Sequence, residues 1–245
     1  MTIAAILTAA GNGSRLGAGR PKALALLLGE PLVVHAARRL AGAGVIDLLV
    51  VTAPAGHHAE LVQALGDAEG IDIPLTVVVG GDSRQASVAA GLAALPPEVH
   101  VVLVHDAARA LASSDLARRV VAAVLDGYGA VVPGLPVVDT VKQVSTGSTG
   151  DQRAAFAEQV VATVDRGALR TIQTPQGFAR ELLDRAHRAG SLRAATEDTA
   201  ATDDAALVEA LGEPVWVIPG EDDAVKITTA RDLAIAELLA LRASR

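Results

Sequence analysis

The chain has 245 residues, 51% of them hydrophobic and 20% charged, with a net charge of −7 at pH 7; this composition supplies a packed core and excludes global disorder. Aromatic residues make up only 2%, which argues against binding single-stranded nucleic acid by base stacking, and the negative charge argues against a broad nucleic-acid or anionic-membrane surface. The absence of cysteine excludes disulfides, cysteine–zinc sites and thiolate catalysis and fits a reducing compartment. No basic leader precedes the first apolar run and no uninterrupted apolar stretch reaches about 18 residues, so neither a signal peptide nor a membrane span is expected and a cytoplasmic location follows.

Residues 3–7 read as a first strand. The stretch after it, Ala9-Ala10-Gly11-Asn12-Gly13-Ser14-Arg15-Leu16-Gly17-Ala18-Gly19-Arg20-Pro21-Lys22, holds four glycines, two arginines, a lysine and no acid. Glycines let backbone N–H groups approach an anion closely, and the three cations add fixed charge, so the loop reads as a phosphate site. It is not a dinucleotide fingerprint, because Leu16 stands where the third glycine belongs, nor a Walker A loop, because Lys22 precedes Ala23. A flexible β-to-α connection with incidental charge is the bland alternative.

A helix is expected over 31–41, a strand over 47–52, a helix over 57–65, and a strand over 76–79 ending at Gly80-Gly81. A helix over 83–95 takes Asp82 as its N-cap. A strand over 100–105 ends at Asp106, a helix capped by Ser113 or Ser114 runs to 125, and a strand follows over 130–132. Strands alternating with helices predict an α/β fold with a mostly parallel sheet covered on both faces. The rhythm breaks at Pro133. Extended runs over 136–144 and 160–165 flank a polar turn, which predicts a protruding β-arm over 137–165. Such an arm has no core of its own and needs a partner surface, most economically a second copy of the chain, unless it is a flexible surface excursion. Helices follow over 180–189 and 203–211, the latter with Thr202 as N-cap. A strand over 215–218 carries Trp216 as a packing residue, and a helix over 229–241 has Asp232 at the capping-box spacing. There is no internal repeat, and the whole chain, 1–245, reads as one domain with an arm.

Ligands bind at strand ends in open parallel sheets. Three motifs sit at such ends: the Gly-rich loop, Gly80-Gly81-Asp82-Ser83-Arg84-Gln85-Ala86-Ser87, and Val104-His105-Asp106-Ala107-Ala108-Arg109. Asp106 has two readings, a strand-end turn residue and a Mg²⁺ ligand; magnesium needs only one or two acids when phosphate oxygens complete its shell. Asp223 is a candidate second acid. His105 is assigned a structural role on the opposite side of the strand, and His57-His58 a solvated surface position. Of 21 basic residues only three, Lys22, Lys142 and Lys226, are lysine, so an ammonium point charge on phosphate oxygens is one explanation of their placement and chance is the other.

The Gly-rich loop ending in Pro21-Lys22, Gly-Gly-Asp-Ser-Arg-x-x-Ser at 80–87, Val-His-Asp-Ala-Ala-Arg at 104–109, Asp139-Thr140-x-Lys142, Thr163-Val164-Asp165-Arg166, Thr174-Pro175-Gln176 and Lys226-Ile227-Thr228 together resemble the methylerythritol-phosphate cytidylyltransferase family, in order and over nearly the whole chain. The resemblance implies a Rossmann-like nucleotidyltransferase sheet and transfer of CMP from CTP to a polyol phosphate in non-mevalonate isoprenoid biosynthesis, with release of pyrophosphate. It implies that Ala9, Ala10, Gly11 and Gly13 line the CTP site, that Arg15 and Lys22 neutralise transition-state charge, and that Gly81, Asp82 and Ser87 read cytosine and its ribose. It further implies that Asp106 holds Mg²⁺ and that Arg109, Thr140, Arg166, Thr174 and Lys226 grip the polyol phosphate. In the family the arm crosses to a neighbouring subunit, so Thr140 and Arg166 would act in trans within a homodimer. Two features depart from the family: Ala110 replaces its usual proline, which predicts a looser Arg109 loop, and the arm is long and rich in Gly, Ser and Thr. The rival readings are a cytidylyltransferase for another polyol phosphate, such as ribitol 5-phosphate, and a non-catalytic nucleotide-binding module.

Overall fold

The structure, a computed structural model, describes residues 1–11, 21–145, 157–192 and 203–243. Its strands are β1 (Thr2–Thr8), β2 (Leu26–Leu27), β3 (Glu30–Pro31), β4 (Leu48–Ala53), β5 (Leu75–Val79), β6 (Val99–Asp106), β7 (Ala130–Pro136), β8 (Val141–Val144), β9 (Val160–Val164), β10 (Arg170–Ile172), β11 (Gln176–Ala179) and β12 (Trp216–Pro219). Its α-helices are α1 (Leu32–Ala41), α2 (His58–Gly66), α3 (Arg84–Ala93), α4 (Ser114–Leu125), α5 (Arg180–Ser191), α6 (Asp204–Glu209) and α7 (Ala230–Ala243).

The main sheet runs β10-β7-β11-β6-β1-β4-β5, with β12 also on β7. β6, β1, β4 and β5 are mutually parallel, as the alternation of strands and helices predicts. The sheet is nevertheless mixed: β11 lies antiparallel between β6 and β7, and β10 pairs antiparallel with β7. The strand expected to stop at 132 continues through Pro133 to Pro136. Pro133 contributes its carbonyl, which accepts from Gln173 N–H at 2.8 Å, a bond that needs no N–H on the proline.

Side-chain alternation sorts the core into two layers. Ile3, Ala5 and Leu7 of β1 face one side with α1, α2 and α4, through Val33, Leu61 and Val120. Ala4 and Ile6 face the other with α3, α5 and α6, through Val88, Leu183 and Val208. A smaller cluster of Leu27, Leu32, Ala110, Leu111, Ile227 and Ala236 seats α7. Ala110, the residue in place of the family's proline, is fully buried there. The loop it belongs to is tied by Arg109 N–H to Asp106 O at 2.9 Å and Ile227 N–H to Ala108 O at 2.8 Å, so the expected loosening finds no counterpart in its contacts.

Ser113, one of the two expected candidates, caps α4 by accepting from Leu116 N–H, whereas Ser83 and not Asp82 caps α3 by accepting from Ala86 N–H. α6 is capped by Asp203, which accepts from Ala206 N–H; Thr202 lies outside the described residues. Trp216, expected to pack, is 48% exposed and meets the ring of Tyr128 at 5.0 Å. His58 is bound to Val77 O at 3.1 Å rather than solvated, while His57 faces Glu60 on the surface.

The box at the start of α7 forms as its spacing predicts. Asp232 Oδ2 accepts from Thr228 and Thr229 N–H at 2.9 and 2.8 Å, and Thr229 Oγ1 accepts from Asp232 N–H at 3.2 Å. The Thr228 hydroxyl bond, with these N–H groups, lowers the Asp232 pKa to about 2. A depressed carboxylate pKa stabilises the fold above the unfolded value near 4, and that contribution is lost as pH falls through about 2. Asp232→Ala is therefore expected to cost about 1 kcal/mol at neutral pH and to lose less stability than the parent between pH 4 and pH 2; urea unfolding at both pH values checks it.

The arm is present as an antiparallel β8–β9 pair, with Val141 opposite Val164 and Lys142 opposite Thr163. Val138, Val160 and Val161 are exposed. Of the polar turn expected over 145–151, only Ser145 is among the described residues, its N–H donating to Gln159 O at 3.0 Å.

Candidate active site

The three strand-end motifs leave the sheet at one edge because the parallel register aligns them. Thr8 pairs with Asp106 on one side and Thr52 on the other. Ala9 N–H then reaches Thr52 O, Ala107 N–H reaches Thr8 O, and Gly80 N–H reaches Ala53 O. Together these ends enclose a cleft of about 230 Å³. From the first loop it is lined by Ala9, Ala10, Gly11 and Lys22; from the second by Gly81, Asp82 and Ser87; and from elsewhere by Asp106 and Lys226. Gly13 and Arg15 lie outside the described residues.

The second loop can hug the cleft only as glycine. A Cβ at Gly81 would stand 2.4 Å from the Ala86 methyl, and one at Gly80 would stand 2.8 Å from both the Ala10 methyl and Ser87 Oγ. Ser87, at the cleft wall, holds this loop closed: its hydroxyl oxygen accepts from Gly81 N–H at 3.2 Å and lies 2.9 Å from Ser83 O.

Asp106 is 6% exposed. Its Oδ2 pairs with Lys226 Nζ at 2.8 Å, and its Oδ1 receives Thr8 Oγ1 and Arg84 Nε, each at 3.3 Å. Burial opposes its charge, yet the Arg84 and Lys226 cations beside it hold the carboxyl well below the usual carboxylate range. Its backbone N–H donates to Thr174 Oγ1 at 3.0 Å, and that hydroxyl lies 2.9 Å from His105 Nδ1. Burial pushes His105 down to about 4, so the neutral ring can accept the Thr174 proton. His105 is structural, as alternation along the strand predicts. Thr174, assigned to the polyol phosphate, is buried beneath Asp106, with its hydroxyl spent on positioning that residue.

Arg109 is likewise turned to the protein. It donates to Ala224 O at 2.8 Å and Ile172 O at 3.1 Å, tying the Asp106 loop to the segment that carries Lys226. Thr140 and Arg166 sit exposed on the arm, where Arg166 donates to Val138 O; neither lines the cleft. Asp223 does not join Asp106 either, since it lines a separate cleft with Arg39, Ser113, Glu221 and Asp222.

Among the described residues no group of three or more His, Cys, Asp or Glu could hold a metal by itself. The donor set of the first cleft, one buried carboxylate beside a threonine hydroxyl, fits a hard cation such as Mg²⁺ that takes its other oxygens from phosphate and water. It does not suit a nitrogen- or sulfur-seeking metal.

Sequence reasoning missed how this site is braced from behind. Arg84, legible only as one letter of a motif, lines the cleft itself and links Asp106 to Asp204, donating to Asp204 Oδ2 at 2.7 Å, while His187 Nε2 meets Asp204 Oδ1 at 2.8 Å. Gln176 Nε2 donates to Asp203 at 2.7 Å. No local pattern signals a contact between residues so far apart in the chain; an acidic pair at the start of a helix was the one available hint.

A family model described as 2-C-methyl-D-erythritol 4-phosphate cytidylyltransferase matches residues 3–242. The chain is 47% identical over 241 residues to the protein of that name from Streptomyces avermitilis, covering 98% of this chain and 92% of the relative. It is 46% identical to the one from Saccharopolyspora erythraea, covering 97% of this chain and 98% of that protein. Among solved structures, 4-diphosphocytidyl-2C-methyl-D-erythritol synthase from Anaerococcus prevotii superposes with a TM-score of 0.80 at 28% identity, covering 98% and 99% of the two chains. The cytidylyltransferase of Thermus thermophilus gives 0.73 at 34% identity, covering 98% and 100%.

Proposed function

The chain belongs to the 2-C-methyl-D-erythritol 4-phosphate cytidylyltransferase family, and from that premise we propose how its residues divide the work of the reaction. The family's activity is CTP-dependent transfer of CMP to methylerythritol phosphate in non-mevalonate isoprenoid synthesis. A phosphate oxygen of the acceptor bonds to the α-phosphorus of CTP. The bond from that phosphorus to the bridging oxygen breaks, and pyrophosphate leaves with the electron pair. The nucleophile is already ionised, so the protein's tasks are alignment of two polyanions and neutralisation of their charge.

The observation that carries the assignment is the convergence of Lys22, Lys226 and Asp106 with the Gly81 loop on one cleft. Ala9, Ala10, Gly11 and Gly13 line the triphosphate site, where glycines let backbone N–H groups approach the phosphates, while Gly81, Asp82 and Ser87 form the wall for cytosine and ribose. Lys22, on the cleft lining, neutralises the charge that builds on the phosphates, and the same role is assigned to Arg15 from the motif. Lys226, with Asp106 as its counter-ion, holds the acceptor phosphate. Asp106 is the protein ligand for Mg²⁺, with Thr8 beside it; when bound, the ion supplies charge neutralisation on phosphate oxygens. Arg109 and Thr174 act by positioning the Asp106 loop.

Thr140 and Arg166 reach a site only if the exposed arm crosses to a second copy, so we assign them to the partner's cleft in a homodimer. The arm's exposed Val138, Val160 and Val161 favour this. Co-expressing Lys22→Ala with Arg166→Ala chains tests it. If the arm acts in trans, half the dimers are mixed and each restores one intact site, so about a quarter of parental activity returns. Activity no higher than that of either variant alone contradicts the trans assignment.

A further inference from the structure

Asp106 and Asp204 are both buried carboxylates, and one guanidinium serves both. Arg84 opens α3 and is itself part of the cleft lining. Its Nη1 is committed to Asp204 at 2.7 Å, whereas its Nε touches Asp106 at only 3.3 Å. Asp204 is 1% exposed and its other oxygen is taken by His187 at 2.8 Å. It is fixed at the start of α6 beside Asp203, which Gln176 holds to the sheet. Arg84 Nη2 is buried and finds no partner among the described residues, so the guanidinium is not placed to maximise its own bonds. A guanidinium beside a carboxylate commonly forms a two-bond fork; here Arg84 gives Asp106 only its Nε and gives Asp204 its Nη1.

We propose that Asp204 is a positioning residue that restrains Arg84, so that Asp106 Oδ1, held only by contacts of 3.3 Å, stays open to a hard divalent cation. The inference rests on Asp106 being the cation ligand and extends the site by a layer. Arg84 and the cation compete for Asp106 Oδ1, and Asp204 settles the competition in the cation's favour. Without the Asp204 charge the guanidinium closes on Asp106, and the cation must displace a charge-assisted pair.

The test is Mn²⁺ binding to the enzyme–CTP complex, followed by water-proton relaxation in the absence of acceptor, alongside the Mg²⁺ concentration needed for half-maximal pyrophosphate release. Asp204→Asn is expected to weaken Mn²⁺ binding and raise the Mg²⁺ requirement roughly tenfold, the scale of one charge-assisted hydrogen bond. The double variant Asp204→Asn/Arg84→Gln is expected to recover parental Mn²⁺ affinity, because the competitor is gone; a merely structural role for Asp204 predicts further loss instead. Arg84→Gln alone, which remains informative if Asp204→Asn fails to fold, is expected to bind Mn²⁺ at least as tightly as the parent. Weaker binding by Arg84→Gln, or no recovery in the double variant, overturns the proposal. Asp106→Asn run in parallel separates the two layers: if it retains parental Mn²⁺ affinity, the assignment of Asp106 falls and the proposal with it. If it loses affinity while Asp204→Asn does not, only the role of Asp204 falls.

Discussion

Lys22→Ala is expected to lower the turnover of pyrophosphate release by roughly 10²–10³-fold, the scale for removing one preorganised charge-stabilising donor, while the far-ultraviolet circular dichroism stays that of the parent. Lys22 opens a short helical turn, Lys22–Leu24, whose Ala23 and Leu24 are buried, so the ammonium is delivered to the cleft from a fixed base. Ala is tolerated at that position by the backbone, and the loss falls on function. Phosphoryl-group transfer spreads charge over oxygens that are already anionic in the ground state. A cation that gains strength as the transition state forms therefore lowers the turnover number more than it raises KM. A rise in KM for CTP with unchanged turnover would assign Lys22 to ground-state binding alone. Near-parental turnover and KM would remove it from the site.

The largest effect on stability is expected at Phe178. The ring is fully buried on β11, opposite Val102 of β6 and Ala130 of β7, and packs with Leu183 and Ala186 of α5. In a core built otherwise from aliphatic side chains, no neighbour is large enough to refill the space. Phe178→Ala is expected to cost about 3–5 kcal/mol, read as a shift of the urea midpoint at constant slope. Because β11 follows closely on Thr174, which supports Asp106, the folded fraction should also show weakened catalysis. A change in stability below about 1 kcal/mol would mean that this strand is not the central element its burial indicates.

The same strand shows where the sequence stops being readable. Gln176-Gly177-Phe178-Ala179 contains no β-branched residue and no alternation, so it carries no strand signal. Its glycine is there for α4: a Cβ at Gly177 would stand 2.4 Å from Val120 Cγ1. The requirement is tertiary, and a local pattern cannot express it. Pro133 misled for a related reason, since the penalty of a proline in a strand depends on whether its missing N–H is needed, which is known only once its neighbours are placed.

What was legible was the chemistry at the ends of apolar strands. Ile3 to Leu7 and His100 to His105 are long enough to identify as strands, so the glycines and charges that follow them had to lie at the sheet's edge. That logic brings Gly11, Gly81, Asp106 and Lys22 to one cleft, and the structure has them there. Lys226 was legible through the motif resemblance, whereas its ion pair with Asp106 exists only in the fold. The orientation of Arg109 and Thr174 was not legible, because both carry groups that suit substrate and protein equally. Only their partners in the fold, Ala224 O and Ile172 O for one and Asp106 N–H for the other, decide it. Asp223 is close to Lys226 in sequence yet lines a separate cleft, a placement that sequence distance does not express.

The measurement that bears most directly on the assigned chemistry is pyrophosphate release with CTP and Mg²⁺, comparing methylerythritol 4-phosphate with ribitol 5-phosphate as acceptor. Release with methylerythritol phosphate and none with ribitol phosphate is the predicted result. Release with ribitol phosphate alone would keep the nucleotide cleft and contradict the acceptor, and release with neither, despite CTP binding, would contradict the assignment of this cleft as a cytidylyltransferase site.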